Sequence, residues 1–451
     1  MEHYKITGSD RKLFIKMVIP IMIESVINTL FGIMDTAMLG RVDNASQAIS
    51  AVGITGSLIN MFIVLSAAFC VGFTAMISQN YGAQKYHECH AITAQMMPIM
   101  ALAGIFITAL MSFGAPMLVR FVGANSEIYD DAVMYLRIIG YGMFFHVMAI
   151  AITSAFRGVG QTKLPMFYNI GAGIINVFFN FCLINGNLGF PALRVEGAAI
   201  ATTISKVFMF LAAVIAIYRI DSIVKLKIKD KMLPKKETIM PSVKLGLSSL
   251  LESVILQGGN VLTTKIISVI ETLPYAAYSV SLSMESMVWA ISGSYGTVST
   301  TLAGMAKGEG NMAKAKSYVG MILKIAITTA AGLALIYFFF GRQLADLYTD
   351  ETQVAILVGQ MLKIFCVMLF GIFTHQTVSG AMRGMGFMKA PLIASLISLW
   401  SCRVLGCFLS VRVLGLGIMA VVICCTGDQI LRAGINLFFF IKKFYSKKAP
   451  L

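Results

Sequence analysis

Residues 155–160 read Ala-Phe-Arg-Gly-Val-Gly, and residues 381–386 read Ala-Met-Arg-Gly-Met-Gly. The two segments lie 226 positions apart, and a Lys and a Pro follow each of them at the same spacing. Nearer the start of each half, Glu-Ser-Val-Ile occurs at 24–27 and again at 252–255, an offset of 228. Several matches at one nearly constant offset indicate that the chain is a duplication. Parallel repeats are typical of membrane transporters whose cargo path lies between the two halves.

The composition requires lipid as the solvent for much of the chain. Of 451 residues, 57% are hydrophobic and only 13% are charged, whereas soluble proteins carry roughly 25% charged residues. A bilayer core needs around 20 apolar residues per helix. The sequence therefore predicts an all-α polytopic membrane protein with about twelve transmembrane helices in two pseudo-symmetric six-helix bundles. The predicted spans are 13–38, 48–79, 90–118, 130–155, 164–185, 196–218, 242–270, 275–303, 316–341, 353–380, 390–411 and 415–441.

The net charge of +15 comes from Lys and Arg that lie between the apolar stretches. That pattern indicates membrane topology signals and not nucleic-acid binding. The only long charged linker, 220–241, carries six Lys, so the positive-inside rule places this linker and both termini in the cytoplasm of a bacterial-type inner (plasma) membrane. We accordingly predict a first lobe at 1–219, a cytoplasmic basic linker at 220–241 and a second lobe at 242–451.

Span one carries a stripe of polar side chains. Asn28 and Asp35 follow Glu24 by 4 and 11 residues, so at about 100° per residue the three lie within roughly 40° of one another on the helix. The interior of this span contains no Lys or Arg. A carboxylate left without a fixed cation inside a bilayer either takes up a proton or binds a cation. We predict that all three residues take part in ion coupling; the alternative is a structural polar contact with a neighbouring helix.

Span five carries Asn176 and Asn180 on the same face as Asn169. Neutral amides can hydrogen-bond a carboxylic acid, or they can ligate sodium through the carbonyl oxygen. We predict that Asn176 and Asn180 complete the ion-coupling site, and that sodium, if it is the coupling ion, binds at Asp35 and Asn180. The alternative is interhelical hydrogen bonding, which is common in membrane bundles.

Candidate substrate-binding residues occur in spans four, seven and eight. Glu252 and Gln257 belong to span seven, and Glu285 precedes Trp289 by one turn in span eight. A carboxylate with aromatic neighbours can hold a lipophilic cation by charge and cation–π attraction. His146 of span four is included in the substrate-binding set, with a hydrogen-bonded packing role as its alternative.

An ion pair and a histidine within the spans are expected to be structural. Asp428 and Arg432 stand at i and i+4, the spacing of an ion pair on one helix. His375 is expected to be a hydrogen-bonded packing residue. The cluster His87-Glu88-Cys89-His90 lacks a second ligand pair, so we predict no metal site.

Several segments together resemble the multidrug and toxic compound extrusion (MATE) family of antiporters. They are 31–41, the two Arg-Gly-x-Gly segments, 176–180 and 196–202. The resemblance implies two six-helix lobes that form a V-shaped cavity, and export of cationic amphiphiles against an inward flow of protons or sodium. It also matches Asp35 to the span-one coupling aspartate, and Glu252 to a span-seven glutamate.

Two departures leave the coupling ion open. Asn180 stands where one branch of the family has a second aspartate. Ile372 stands where the sodium-coupled branch has a span-ten aspartate.

Together these features predict an antiporter that exports organic cations in exchange for protons or sodium ions, with no other cofactor. Its expected partners are small cationic amphiphiles and the lipid bilayer, with no nucleic acid, and the chain is expected to be a monomer. The alternative is a lipid-linked precursor flippase of related architecture. The candidate cavity acids outnumber the bases, which favours cationic cargo, whereas Lys206, Lys265 and Arg403 lie in spans and keep the flippase open. We do not expect an enzyme, because five His and no HExxH-type motif supply no catalytic constellation.

Overall fold

The computed structural model describes residues 4–40, 45–227, 230, 232–267, 269–349 and 351–445. Arg41 of the first MATE-like segment, parts of the predicted linker (228, 229 and 231) and residues 446–451 lie outside them. Within the described ranges the regular structure is entirely helical. The helices are α1 (Gly8–Leu39), α2 (Ala45–Gly82), α3 (Tyr86–Phe113), α4 (Ala115–Val122), α5 (Tyr129–Gly158), α6 (Lys163–Asn185), α7 (Arg194–Arg219), α8 (Lys236–Ile267), α9 (Thr272–Gly308), α10 (Met312–Asp346), α11 (Thr352–Gly384), α12 (Lys389–Ser398) and α13 (Ile418–Tyr445).

The predicted all-α, roughly twelve-helix fold is confirmed. In the described part of the chain, eleven helices are long and apolar enough to cross a membrane. One of them joins α12 to two π-helical segments, Leu399–Leu405 and Phe408–Val413. The remaining long helix is α9, which has 37 residues. It is not among the eleven, and its many Ser and Thr side chains make it less apolar. The helix of the third predicted span, 90–118, instead ends at Phe113, because Pro116 lacks the N–H that would continue it. The short helix α4 begins at Ala115, one residue before that proline.

Contacts divide the chain into two compact units, which are Ile19–Gly246 and Met1–Val18 with Leu247–Leu451. In the first unit α5 packs against α2, α3 and α7, and in the second α11 packs against α9, α10 and α13.

The unit boundaries differ from the predicted lobe boundaries, which stay a prediction. The first turn of α1 belongs to the second unit, where the Tyr318 hydroxyl donates to Asp10 at 2.6 Å. The start of α8 belongs to the first unit, where the backbones at Gly72 and Gly246 are in close contact.

The repeated Arg-Gly-x-Gly segments end the two central helices, and each glycine has a physical reason. Gly160 and Gly386 have φ of 81° and 83°, a left-handed conformation that glycine adopts without steric cost. Gly158 and Gly384 lie where a helix crosses close by, so an added Cβ would collide with Ile77 or with the Thr300 backbone. The sequence repeat therefore records the same turn and the same close helix contact in each unit.

Gly384→Ala is expected to lower the free energy of unfolding by about 1–3 kcal/mol, the usual cost of overpacking. The new methyl group would meet the backbone of α9 at Thr300, which cannot move aside as a flexible side chain can. Thermal unfolding of the purified protein measures the effect. Gly293→Ala is the matched control, since a Cβ there meets nothing within 4 Å; equal melting of the two variants would contradict the prediction.

Candidate functional site

Asp35 lies on α1 within a set of neutral hydrogen-bond donors from α6. The Asn180 amide nitrogen donates to Asp35 Oδ1 at 2.6 Å. With its amide oriented to donate, the Asn176 nitrogen lies 3.0 Å from both Asp35 oxygens, and its oxygen then lies 3.3 Å from Thr202 Oγ1 of α7. Tyr135 of α5 is a further neighbour of Thr202 and Asp35. The structure thus brings together Asp35, Asn176 and Asn180, and adds Thr202 and Tyr135, which the sequence argument did not assign.

No fixed cation neutralises Asp35 among the described residues, whose ion pairs all involve other acids. Asn180 Oδ1 is buried and has no hydrogen-bond partner in the described part of the chain. The site therefore offers a carboxylate and a spare carbonyl oxygen, which fit either a proton on the acid or a sodium ion ligated by oxygen.

Glu24 is in a different environment, which corrects the premise behind its predicted ion-coupling role. Its side chain is 6% exposed, and Arg157 of α5 donates to Oε1 at 2.8 Å. The Asn169 amide donates to the same oxygen at 2.6 Å. Asn28, one turn further along α1, is exposed. Glu24 therefore already has a fixed positive partner, which comes from another helix of the same unit.

The second unit contains an equivalent cluster. Arg383 of α11 donates to both Glu252 oxygens at 2.8 Å, and Ser395 donates to Oε1 at 3.0 Å. Glu252 is 2% exposed, so this predicted substrate-binding carboxylate is buried and paired.

The two clusters are related by the sequence repeat. Arg383 and Ser395 each stand 226 positions after their counterparts Arg157 and Asn169. Both the acid and the base of each pair had been singled out by the repeat. The repeat relates the two acids at an offset of 228 and the two arginines at an offset of 226. The third members, Asn169 and Ser395, match in polarity only.

Three other predicted substrate-binding residues, Glu285, Trp289 and Gln257, lie in the second unit. The Trp289 indole nitrogen donates to Glu285 Oε1 at 2.8 Å, and Glu285 is 7% exposed. Gln257 is half-buried on α8. Glu285 and Trp289 are therefore in contact, as their spacing of one helical turn predicts. The contact is a hydrogen bond from the indole N–H to the carboxylate.

The predicted Asp428–Arg432 ion pair is confirmed, at 2.7 Å and with both side chains buried. A second arginine, Arg403 of the π-helical segment, lies 3.1 Å from the other Asp428 oxygen. Arg403 also donates to Asn260 Oδ1 at 2.8 Å. This second cation had not been predicted to reach the pair.

The two intramembrane histidines differ. His375 is 2% exposed and shares a hydrogen bond of 3.2 Å with Asn436, which confirms its predicted packing role. Both ring nitrogens of His146 are buried, and no described residue hydrogen-bonds either of them.

The members of the cluster at 87–90 contact different partners. His90 pairs with Asp230 at 3.0 Å, and the buried Cys89 thiol donates to the Ile77 carbonyl. The described side chains include no group of three His, Cys, Asp or Glu placed to hold a metal ion.

These pairings change the charge count on which the expectation of cationic cargo partly rested. Glu24, Glu252 and Asp428 each have an arginine partner, so these three acids do not count as unpaired negative charges. The case for a cation now depends chiefly on Asp35.

Comparison with known proteins gives a consistent result. The family model described as MatE matches residues 20–182 and 248–409, so the two predicted repeats are both found. The chain is 28% identical over 445 residues to the probable multidrug resistance protein NorM of Thermotoga maritima, covering 98% of this chain and 94% of that protein. It is 25% identical over 415 residues to the uncharacterized transporter YisQ of Bacillus subtilis, covering 92% and 90%.

Two solved structures share the fold. One is a multidrug resistance MATE family transporter in an outward-facing conformation. The other is a transporter of the MOP superfamily from Pyrococcus furiosus, described as having a binding pocket of reverse polarity that suggests a different function. Each has a TM-score of 0.90, is 21% identical and covers 98% of this chain and 97% of its own.

Proposed function

This chain belongs to the MatE family of membrane transporters, and on that basis we propose that it is a secondary active antiporter that exports organic cations and drugs in exchange for protons or sodium ions. The family consists of transporters and not enzymes, so the chain is a multi-pass membrane transporter. Cargo would cross by alternating access between the two repeats, as in other transporters built from duplicated halves.

One observation carries the proposal: Asp35 is an intramembrane carboxylate whose partners are neutral amides. An unneutralised charge in a bilayer is expensive, so such a group is retained where it binds an ion or a charged ligand. The relatives described as probable multidrug resistance proteins support drugs as cargo.

The side-chain amides beside Asp35 can serve both its charged state and its ion-bound state. While Asp35 is charged, Asn176 and Asn180 donate N–H groups to it. When Asp35 carries a proton or a sodium ion, carbonyl oxygens are the better partners, and Asn180 Oδ1 is free to serve. Ion binding would thus remove the negative charge that holds a cationic cargo and would rearrange the hydrogen bonds between α1 and α6.

The proposed location is a bacterial plasma membrane with both termini in the cytoplasm. The basic linker at 220–241 supports this orientation through the positive-inside rule. The proposed working form is a monomer.

Transport in proteoliposomes tests the proposal. Purified protein would be reconstituted and loaded with fluorescent organic cations, and a pH gradient or a sodium gradient would be imposed separately. We expect dye movement to follow one of the two gradients, which identifies the coupling ion. Equal rates in protein-containing and empty liposomes under both gradients would reject the antiporter.

A further inference from the structure

Lys206 is a buried lysine in α7 with almost nothing to hold its charge. Its side chain is 7% exposed. Among the described residues, its ammonium makes one polar contact, with the Met143 sulfur of α5 at 3.6 Å. The stem passes beside Gly142, where an added Cβ would lie 3.4 Å from Lys206 Cδ. The lysine stem therefore runs along α5 at ordinary packing distance.

That contact does not satisfy the amine. An ammonium has three donors and a thioether sulfur is a weak acceptor. A buried charge without a partner costs several kcal/mol inside a membrane protein. Arg157 and Arg383 have carboxylate partners at 2.8 Å, whereas Lys206 has none in the described ranges.

His146 is a second unsatisfied group at the same place. It stands one turn beyond Gly142 on α5, and both of its ring nitrogens are buried without a partner among the described residues. It follows Met143, which the Lys206 ammonium contacts, by three residues, so the two residues share one side of α5. A neutral imidazole always carries one N–H donor, so two helices present unused donors to the same region.

We propose that Lys206 and His146 form a binding site for a small monovalent anionic group. An anion would accept hydrogen bonds from the ammonium and from the imidazole N–H, and it would neutralise the ammonium at the same time. The group is either a free anion such as chloride or a carboxylate carried by the cargo.

The site lies close to the Asp35 cluster. Thr202, which contacts Asn176, precedes Lys206 by four residues on α7, a rise of about 6 Å. A cargo that places its cationic centre at Asp35 would therefore present a carboxylate to Lys206 if it were a zwitterion. This cargo version rests on the proposed export function, whereas the free-anion version does not.

Anion-dependent stability tests the site directly. Thermal unfolding of purified protein in nanodiscs would be compared in sodium chloride, sodium acetate and sodium gluconate at one ionic strength. A ligand that binds the folded state raises its melting temperature, so we expect wild type to melt higher in chloride or acetate than in gluconate. Lys206→Met should abolish the difference, Lys206→Arg should retain it, and His146→Phe should reduce it.

A matched control distinguishes loss of the anion site from the general effect of removing a lysine charge. Lys324→Met removes a lysine that is exposed on α10 of the other unit, and it should keep the anion dependence of wild type.

A pair of dyes tests the cargo version. The same fluorescent xanthene cation would be used as its ester and as its free carboxylate, which is a zwitterion. Loss of a hydrogen-bonded charge partner predicts that Lys206→Met lowers the ratio of carboxylate to ester efflux about tenfold, while Lys324→Met leaves the ratio as in wild type.

The outcomes are distinct. If chloride or acetate raises the melting temperature and Lys206→Met removes that rise, a free-anion site is supported. If the anions have no such effect but Lys206→Met lowers the ratio of carboxylate to ester efflux, a site for a cargo carboxylate is supported. No anion effect together with an unchanged dye ratio overturns the proposal. If Lys206→Met does not fold, wild type and Lys206→Arg are compared instead. A melting temperature that is the same in all three anions for both proteins, together with equal efflux of the two dyes, overturns the proposal. A wild type that moves neither dye rejects the antiporter but leaves the anion measurement valid.

Discussion

Asp35→Asn is expected to reduce gradient-driven efflux to the leak rate of empty liposomes while the protein remains folded. The substitution keeps the size of the side chain but removes the charge that would bind a proton or a sodium ion. Asn180 donates to Asp35 Oδ1 and can donate equally to the oxygen of an amide, so packing between α1 and α6 should persist. Efflux from proteoliposomes and thermal unfolding of the same preparation measure the two effects.

Asp346→Asn is the matched control, because this aspartate is exposed at the end of α10. It should transport at the wild-type rate. Wild-type efflux by Asp35→Asn would remove Asp35 from the coupling site, and loss of folding would show that its charge has a structural role instead.

Arg157→Met is expected to lower the free energy of unfolding by about 3–5 kcal/mol, the usual cost of leaving one member of a buried ion pair alone. Glu24 is 6% exposed and would keep only the Asn169 amide as a partner. Thermal unfolding in detergent or nanodiscs measures the loss. Arg219→Met, at the exposed end of α7, is the control and should melt as wild type does.

A second substitution separates the charge effect from the packing effect. In Glu24→Gln with Arg157→Met, neither partner remains charged, so most of the stability should return. The equivalent pair Glu252 and Arg383 should respond in the same way. A double variant no more stable than Arg157→Met would show that packing, and not the unpaired charge, causes the loss.

The contrast between these residues assigns different tasks to acids that look alike in the sequence. Glu24 and Asp35 lie on one helix, but Arg157 contacts the first and neutral amides contact the second. The paired acid joins α1 to α5 and α6 in a fixed arrangement. Asp35 has a charge that no fixed cation balances in the described residues, so it is the one suited to exchange an ion.

The amino-acid sequence by itself determined the membrane class, the roughly twelve helices and the duplication, because each depends on composition or on a constant offset along the chain. It also predicted the Asp428–Arg432 pair, since an i, i+4 spacing brings two side chains together within one helix. For the same reason it placed Glu24 and Asp35 on one face of α1, and Asn176 with Asn180 on one face of α6.

Only the tertiary structure decided which faces meet. The partners of Glu24 and Glu252 come from positions 133 and 131 residues away, and helix periodicity says nothing about which of twelve helices is the neighbour. A polar stripe tells that a helix needs a polar contact; it does not tell whether an arginine, an amide or an ion supplies it. Packing between helices made that choice for Glu24, Asp35 and Lys206, and with it separated structural charges from candidate functional ones.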